Sequence, residues 1–381
     1  MLAGRIPEAK ALLVEMRARH PQSQEMAFLF GQIAVHEGDY DQAIALFREM
    51  LAREPNLARV RLELGRAFFL KEDDENAEYQ FRYALAGNLP PAVVTNVEGY
   101  LERIRRRKRW AIDLAVSVAP DSNVNAAPAI QTIDLFGQTF TLSDDARERS
   151  GIGLSASLGA QAYHPLTDGA QFRVGVNSCT SEYANSDFDD YVLPGFAGPR
   201  FVFSDGDLSV LATVNRRWYG GEPYSRAVGW RIEATRRITS RWALGGAAEW
   251  QDVRYDANPF ADGPLITANA SISYALTPSS FVRALAGVAR ERAKAEALRN
   301  TSFRIGLGYH QDLPWGISAY VQPEIITTEY DAPGMAFGET RRDRLIRLRT
   351  SLMNRRWQVF GFAPVLSHIY SYRESTIGLY D

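Results

Sequence analysis

The spacing of apolar side chains changes once along this chain, at Trp110. Before it, apolar positions recur at the helical interval of about 3.6 residues, and after it they alternate at 2. In the second part Ile112, Leu114, Val116 and Val118 alternate with Asp113, Ala115 and Ser117, and Ile152, Leu154, Ala156, Leu158, Ala160 and Ala162 with small and polar residues. The same rhythm returns at 208–214, 268–276, 303–309, 346–352 and 357–365. Turn signals separate the runs: Asp168-Gly169, Asp205-Gly206-Asp207, Thr239-Ser240, Thr277-Pro278-Ser279 and Asn354-Arg355. Counted from turn to turn they predict about thirteen antiparallel strands of roughly 9–14 residues, longer than the usual globular strand of about 5–6. Strands of that length and regularity predict a barrel wall.

The helical part repeats itself. Ala9, Ala43 and Ala77 stand 34 residues apart, and the same step joins Gly4 to Gly38, Leu13 to Phe47 to Phe81, Pro21 to Pro55 and Gly31 to Gly65. A 34-residue period with small residues at helix contacts resembles the tetratricopeptide repeat. That resemblance covers residues 4 to about 89 and implies that Gly31 and Gly65 let paired helices approach while Ala43, Phe47, Ala77 and Phe81 fill the contact. A closing helix is expected at about 91–105, after Pro90-Pro91. Residues 4–19 match only the second helix of a unit, so upstream repeats are expected, and an even strand number predicts one closing strand after Asp381.

The faces of the strands indicate what lies on either side. The row opposite the apolar one is rich in Gly, Ser, Thr and Ala and carries Arg231, Glu233, Glu249, Arg304, Glu324, Arg347 and Arg349, as a wide polar lumen would. The apolar rows are almost free of charge at their middles, where each Lys or Arg would cost about 2–4 kcal/mol against lipid. Aromatics near turns, among them Trp110, Tyr163, Trp218, Trp242, Trp250, Tyr255, Tyr309, Trp315, Trp357 and Tyr370, read as interfacial girdles. Short turns (203–208, 237–241, 276–280, 353–356) alternate with longer loops (126–149, 184–190, 256–263, 293–299, 331–342), the habit of outer-membrane barrels. The fold class is α + β multidomain: an α-solenoid over 1–109 followed by an antiparallel transmembrane β-barrel over 110–381, of about 14 strands with about 13 present.

Composition narrows the chemistry. With 43 Lys+Arg against 45 Asp+Glu the net charge is −2, which gives no global field for nucleic acid. Hydrophobic residues at 46% exclude wholesale disorder, and no apolar run is long enough for a transmembrane helix. Cys179 is the one cysteine; it excludes an internal disulfide and reads as a packed small side chain. The five histidines (His20, His36, His164, His310, His368) form no pair at metal-ligand spacing, no Gly-x-Ser-x-Gly elbow occurs, and Gly306-Leu307-Gly308 lacks the rest of a phosphate loop. No enzyme activity and no cofactor or metal are indicated. Asp121, Asn123 and Asn125 have the spacing of half a calcium loop, but Ala126 and Thr132 stand where Gly and an acid are needed. A side-chain-bonded turn is the better reading.

Repeats of this type, then a strand ending in Pro120-Asp121-Ser122-Asn123-Val124-Asn125, then a barrel of about fourteen strands, resemble the surface lipoprotein assembly modulator (Slam) family over nearly the whole chain. The resemblance implies a periplasmic repeat domain, an outer-membrane barrel, and a role in bringing lipoproteins or secreted effector proteins to the cell surface. The expected partners are the client protein and outer-membrane lipid, with periplasmic chaperones and barrel-assembly machinery as further candidates. Competing readings are an exporter of polysaccharide and a soluble repeat scaffold.

Aligning Gly31 with Gly65 places Glu25, Phe28, Gln32 and His36 on the inner face of one unit and Arg59, Leu62, Arg66 and Phe69 on that of the next. These are the candidate client-binding residues, although ordinary helix packing accounts equally well for Phe28, Leu62 and Phe69. The run from Arg103 to Arg109, with Arg106, Arg107 and Arg109 ahead of Trp110, is the candidate membrane interface. A solvated helix end favoured by its macrodipole is the competing account.

Overall fold

The computed structural model describes residues 6–19, 23–125, 127–128, 132–135, 138–143, 147–334, 337–354, 356–357 and 362–380. Gly4, His20, Pro21, Ala126, Arg355, Val359 and Asp381, used above, lie outside them.

Six helices come first: α1 (Ile6–Arg19), α2 (Gln24–Glu37), α3 (Tyr40–Arg53), α4 (Ala58–Leu70), α5 (Asp74–Ala84) and α6 (Pro91–Arg107). Their starts are set locally. Ser23, Asp39 and Asp73 each accept a hydrogen bond from the backbone N–H three residues on, satisfying a donor the helix leaves open. Asp39 and Asp73 are again 34 residues apart, so the caps repeat with the period. Between helices the packing follows the repeat. Phe47 and Phe81 are fully buried, and each ring lies where a Cβ on Gly31 or Gly65 would stand, 2.5 Å and 2.9 Å from the nearest ring atom. Ala43 and Ala77 are buried in the same contacts. One continuous apolar core runs from Ala34 in α2 to Ile104 in α6.

The strands are β1 (Trp110–Asp121), β2 (Thr132–Leu135), β3 (Gln138–Thr141), β4 (Gly151–Thr167), β5 (Ala170–Tyr183), β6 (Asp190–Val202), β7 (Gly206–Tyr219), β8 (Glu222–Arg237), β9 (Trp242–Tyr255), β10 (Gly263–Thr277), β11 (Ser280–Glu291), β12 (Asn300–Asp312), β13 (Ile317–Tyr330), β14 (Arg342–Asn354) and β15 (Val365–Ser375). Thirteen of them form one antiparallel meander, each strand paired with the next from β1 and β4 through to β15. The pair β2–β3 is a separate hairpin inside the loop after β1, within the stretch 126–149 that the sequence pattern predicts as a long loop. Among the described residues β1 and β15 are the edges of the large sheet.

The sheet curves strongly. Arg173 on β5 donates to Glu233 on β8 at 2.7 Å, although strands three apart in a flat sheet are separated by about 14 Å. Both side chains therefore project into the concave side. The opposite row is the apolar one: Phe303, Ile305 and Leu307 on β12 are 55%, 61% and 56% exposed, and the register places them beside Val288, Ala286 and Ala284 of β11. A sheet that leaves large apolar side chains bare on its convex face in this way is built for hydrocarbon outside.

One rim carries tight connections at 168–169, 203–205, 238–241, 278–279 and 313–316, and the other the longer loops. Two connections differ from expectation. Gly220 and Gly221 make a two-residue turn on the long-loop rim, both at positive φ (59° and 77°), the left-handed pair that a primed hairpin turn requires. After β14, Trp357, Phe362, Ala363 and Pro364 belong to no strand and β15 begins at Val365, so the turn read at 353–356 does not lead directly into a strand; Arg355 and residues 358–361 lie outside the described residues. Tyr163 and Tyr255 also depart from the girdle: the register sets them opposite Arg173 and Ser225, on the concave face. Aromatic type and nearness to a turn do not fix parity; the register does.

Candidate functional site

The helical domain sits on the short-turn rim, and nearly every tight turn there holds part of it. Arg106 pairs with Asp168 in the first of these turns. Arg105 donates to the carbonyls of Phe203 and Ser204 in the second. At the third, Arg237 meets Glu98 at 3.0 Å and Arg241 donates to Asn88 at 3.1 Å. At the fourth, the Ser279 hydroxyl donates to Asn56 at 2.7 Å. Beside the fifth, Arg61 donates to Asp312 at 2.9 Å, both side chains fully buried. Only Lys108 and Arg109 separate α6 from β1, so the connection itself is short.

The Arg61–Asp312 pair is satisfied on both sides. Arg61 also donates to the Pro55 carbonyl at 3.0 and 3.1 Å and to Gln80 at 3.1 Å. Asp312 accepts from the Ser318 hydroxyl at 2.7 Å and faces His310 Nε2 at 3.1 Å. Next to the pair, Tyr83 of α5 meets Phe281 and His310, which stack at 4.9 Å on the concave wall. Burial, with Tyr79 and Asp312 nearby, pushes the Tyr83 phenol well above its ordinary range, so it stays protonated. An aromatic and ionic knot thus fixes the last repeat at the barrel mouth.

The candidate interface residues are drawn into this joint. Arg106 engages Glu102 as well as Asp168, Arg107 grips Asp74 and lies 4.0 Å over the Phe69 ring, and Arg109 donates to the Arg106 carbonyl at 3.2 Å. Trp110, 69% exposed, stands on the convex face.

Of the candidate client-binding residues, Glu25, His36, Arg59 and Arg66 are exposed and Phe28, Gln32, Leu62 and Phe69 half-buried. Arg59 covers Phe28 at 4.9 Å, Gln32 donates to Glu63, and Arg66 lies 3.7 Å from Glu63. Phe28, Leu62 and Phe69 pack against the helical core, and Phe69 meets Tyr100 of α6 edge-on.

Register parity puts Arg231, Glu233, Glu249, Arg304, Glu324, Arg347 and Arg349 all on the concave face. The same parity adds Arg173, Arg283 and Arg373, which the sequence reading did not single out. Counting alternate positions from the apolar neighbours Val174 and Val282 would have found the first two. Cys179 is on this face as well, opposite Ser157, and is exposed, not packed.

The Pro120-to-Asn125 segment closes β1 and ties the base of the following loop. Asp121 accepts from the Asn123 N–H at 2.9 Å, and Asn123 exchanges two hydrogen bonds with the backbone of Ala127. Asn125 donates to the Arg147 carbonyl and accepts from the Arg149 N–H, while Val124 N–H reaches the Arg149 carbonyl. The amides act as stand-ins for backbone, so their spacing is that of a clamp; Ser122 and Pro120 carry the chain into it.

Residues 110–381 match the family model described as surface lipoprotein assembly modifier, and residues 4–81 match that of its N-terminal TPR repeats. The chain belongs to this family. It is 27% identical to surface lipoprotein assembly modifier 1 of Neisseria meningitidis serogroup B, over 94% of this chain and 74% of that protein. Identity to surface lipoprotein assembly modifier 2 of Haemophilus influenzae is 23%, over 99% of this chain and 80% of that one. Among solved structures, an anion-selective porin from Comamonas acidovorans is similar at a TM-score of 0.31 and 10% identity, over 70% of this chain and 99% of the porin, too distant to argue from. The two matches bracket the joint described above: surface lipoprotein assembly modifier repeats supply Arg61, and the barrel supplies Asp312.

Proposed function

We propose that this chain is an outer-membrane factor that brings surface lipoproteins, or secreted proteins handled in the same way, across the outer membrane. The repeat domain faces the periplasm, takes the client there, and hands it to the barrel. Client contact falls to the exposed groups Glu25, His36, Arg59 and Arg66, with Gln32 beside them and Phe28, Leu62 and Phe69 as the apolar floor. Outer-membrane lipid surrounds the convex face; delivery by periplasmic chaperones and insertion by the barrel-assembly machinery belong to the same reading.

The observation that carries it is the joint. A fully buried ion pair at 2.9 Å holds the repeats at the mouth of a wall that is apolar outside and polar inside. Anything bound by the repeats is therefore already at the entrance. Repeat superhelices suit extended segments, which is the form in which a polypeptide could pass.

The test is co-expression with a lipoprotein in cells lacking other such factors, scored by protease access at the cell surface. Exposure should depend on this chain and fall when Arg59 and Arg66 are both changed to Glu. Lipoprotein exposure that is the same with and without the chain would remove the proposal.

A further inference from the structure

The concave wall is divided by charge. On β5, β8 and β9 the arginines are matched: Arg173 and Arg231 each meet an oxygen of Glu233, at 2.7 and 2.9 Å, and Arg231 faces Glu249 across the β8–β9 register. On β11 to β15 they are not. Arg283, Arg304, Arg347, Arg349 and Arg373 share the inward face, while carboxylates near the rims are engaged elsewhere. Glu291 accepts from Tyr255 and Asn300, Asp312 from Arg61, and Asp343 from Arg341. The carboxylate left in the middle of this wall is Glu324, 3% exposed, with one oxygen held by Gln322 and the other 3.8 Å from Arg347. Arg304, Arg349 and Arg373 are exposed and, among the described residues, have no carboxylate at ion-pair distance. The register sets Arg304 opposite Ile326, Ile326 opposite Leu345 and Leu345 opposite Arg373, one row two residues from Arg347, so these charges form one cluster.

Neighbouring backbone is cleared for this arrangement. A Cβ on Gly306 would stand 3.0 Å from the Glu324 side chain, and one on Gly308 would strike the Tyr320 ring. Both glycines lie on β12 between Arg304 and the aromatic knot. Five like charges around one buried acid repel each other, and an arriving anion relieves that repulsion.

We propose that the β11–β15 wall binds an extended acidic polypeptide segment, with carboxylates at alternate residues. Arg347 and Arg349 are two residues apart on one face, about 6.6 Å, the repeat of same-side side chains in an extended chain. The arginine fork matches a carboxylate in two parallel hydrogen bonds. The wall begins next to Tyr83, Phe281 and His310, where the repeats are docked, so a segment leaving the repeats reaches it directly. This inference rests on the proposed transport function for its client, but its site is testable without transport.

The full chain is reconstituted in phosphatidylcholine nanodiscs and titrated with fluorescent peptides in which Glu, Lys or Gln alternates with Ser. The Glu peptide is expected to bind, to weaken at least about tenfold from low to high salt, and to lose about tenfold or more in affinity with Arg304→Gln and Arg349→Gln together. Arg173→Gln, on the matched wall, should leave binding unchanged, and heat-modifiable migration shows which variants are folded. If the double variant does not fold, Arg349→Gln alone should still weaken binding severalfold. Equal binding of the Lys or Gln peptide, or an unaltered affinity in the folded variants, overturns the proposal; so does displacement of all cationic-wall binding by inorganic phosphate or lipid A with no affinity for the Glu peptide. Loss of peptide affinity supports the site whether or not lipoprotein exposure in cells falls with it, which separates failure of the site from failure of the transport reading.

Discussion

Arg61 and Asp312 are 251 residues apart in the chain and meet at 2.9 Å with neither side chain open to water. The guanidinium comes from the fourth helix and the carboxylate from the end of a barrel strand, so two domains of different architecture share one buried charge pair. Removing one partner strands the other without compensation, at a cost of about 3–5 kcal/mol. Asp312→Ala should therefore loosen the joint, seen as faster protease cleavage near Lys108 and Arg109 in the detergent-solubilised protein. Replacing both residues with apolar ones of similar size should restore much of the resistance.

Gly31 and Gly65 test the repeat packing. A methyl group on Gly31 would stand 2.5 Å from the Phe47 ring and one on Gly65 2.9 Å from Phe81, both rings fully buried. Neither ring can move without displacing its neighbours, so Gly31→Ala and Gly65→Ala should each cost about 1–3 kcal/mol through overpacking. Hydrogen exchange of α2 to α5 should rise while that of the strands does not. Gly38→Ala makes a contrast: nothing lies near its Cβ position, but its φ of +82° makes the loss one of backbone strain.

These two pairs also mark what the sequence discloses and what it hides. The Gly31–Phe47 and Gly65–Phe81 contacts were legible because a 34-residue period repeats the same contact, and the inward set from Arg231 to Arg349 because strand alternation fixes parity from apolar neighbours. Arg61–Asp312 had no such signal. Arg61 reads as one arginine among many on a helix, and Asp312 as a strand-end acid before a turn; only docking buries them together. Tyr163 illustrates the opposite error. Its type and place near a turn suggested a girdle, yet it lies under Arg200 and Lys108 on the concave face, because one residue of register decides the side. The arginines of the β11–β15 wall were visible one by one, while their lack of partners required knowing which strands adjoin.

Asp262 gives a pH dependence on the long-loop rim. It accepts from the Tyr255 N–H and from Lys294, both at 2.9 Å, joining two loops, and Lys294 with these hydrogen bonds holds its carboxyl below the ordinary 3.8. A depressed folded-state value means stabilisation that is complete above the unfolded value and lost as pH falls through the folded one. The melting difference between wild type and Asp262→Asn should thus stay constant from about pH 8 to pH 5 and shrink below about pH 4. A difference that grows on acidification would contradict the assignment.

The polarity of the wall can be read from one cysteine and one leucine. Cys179 is exposed on the concave face beside Ser157, so a charged, water-soluble maleimide should label it in the reconstituted protein. Moving the thiol one residue, with Cys179→Ser and Ser178→Cys, turns it to the other face, where the apolar row is in lipid and the same reagent should react far more slowly. Leu307, 56% exposed on the convex face, extends the argument to energy. Leu307→Arg places a charge against hydrocarbon and should cost about 2–4 kcal/mol near the bilayer midplane, lowering the amount of heat-modifiable protein in the membrane. Arg304→Leu, three residues away on the concave side, should leave that amount unchanged. An unchanged amount with Leu307→Arg would mean that water bathes both faces, which a barrel wall does not allow.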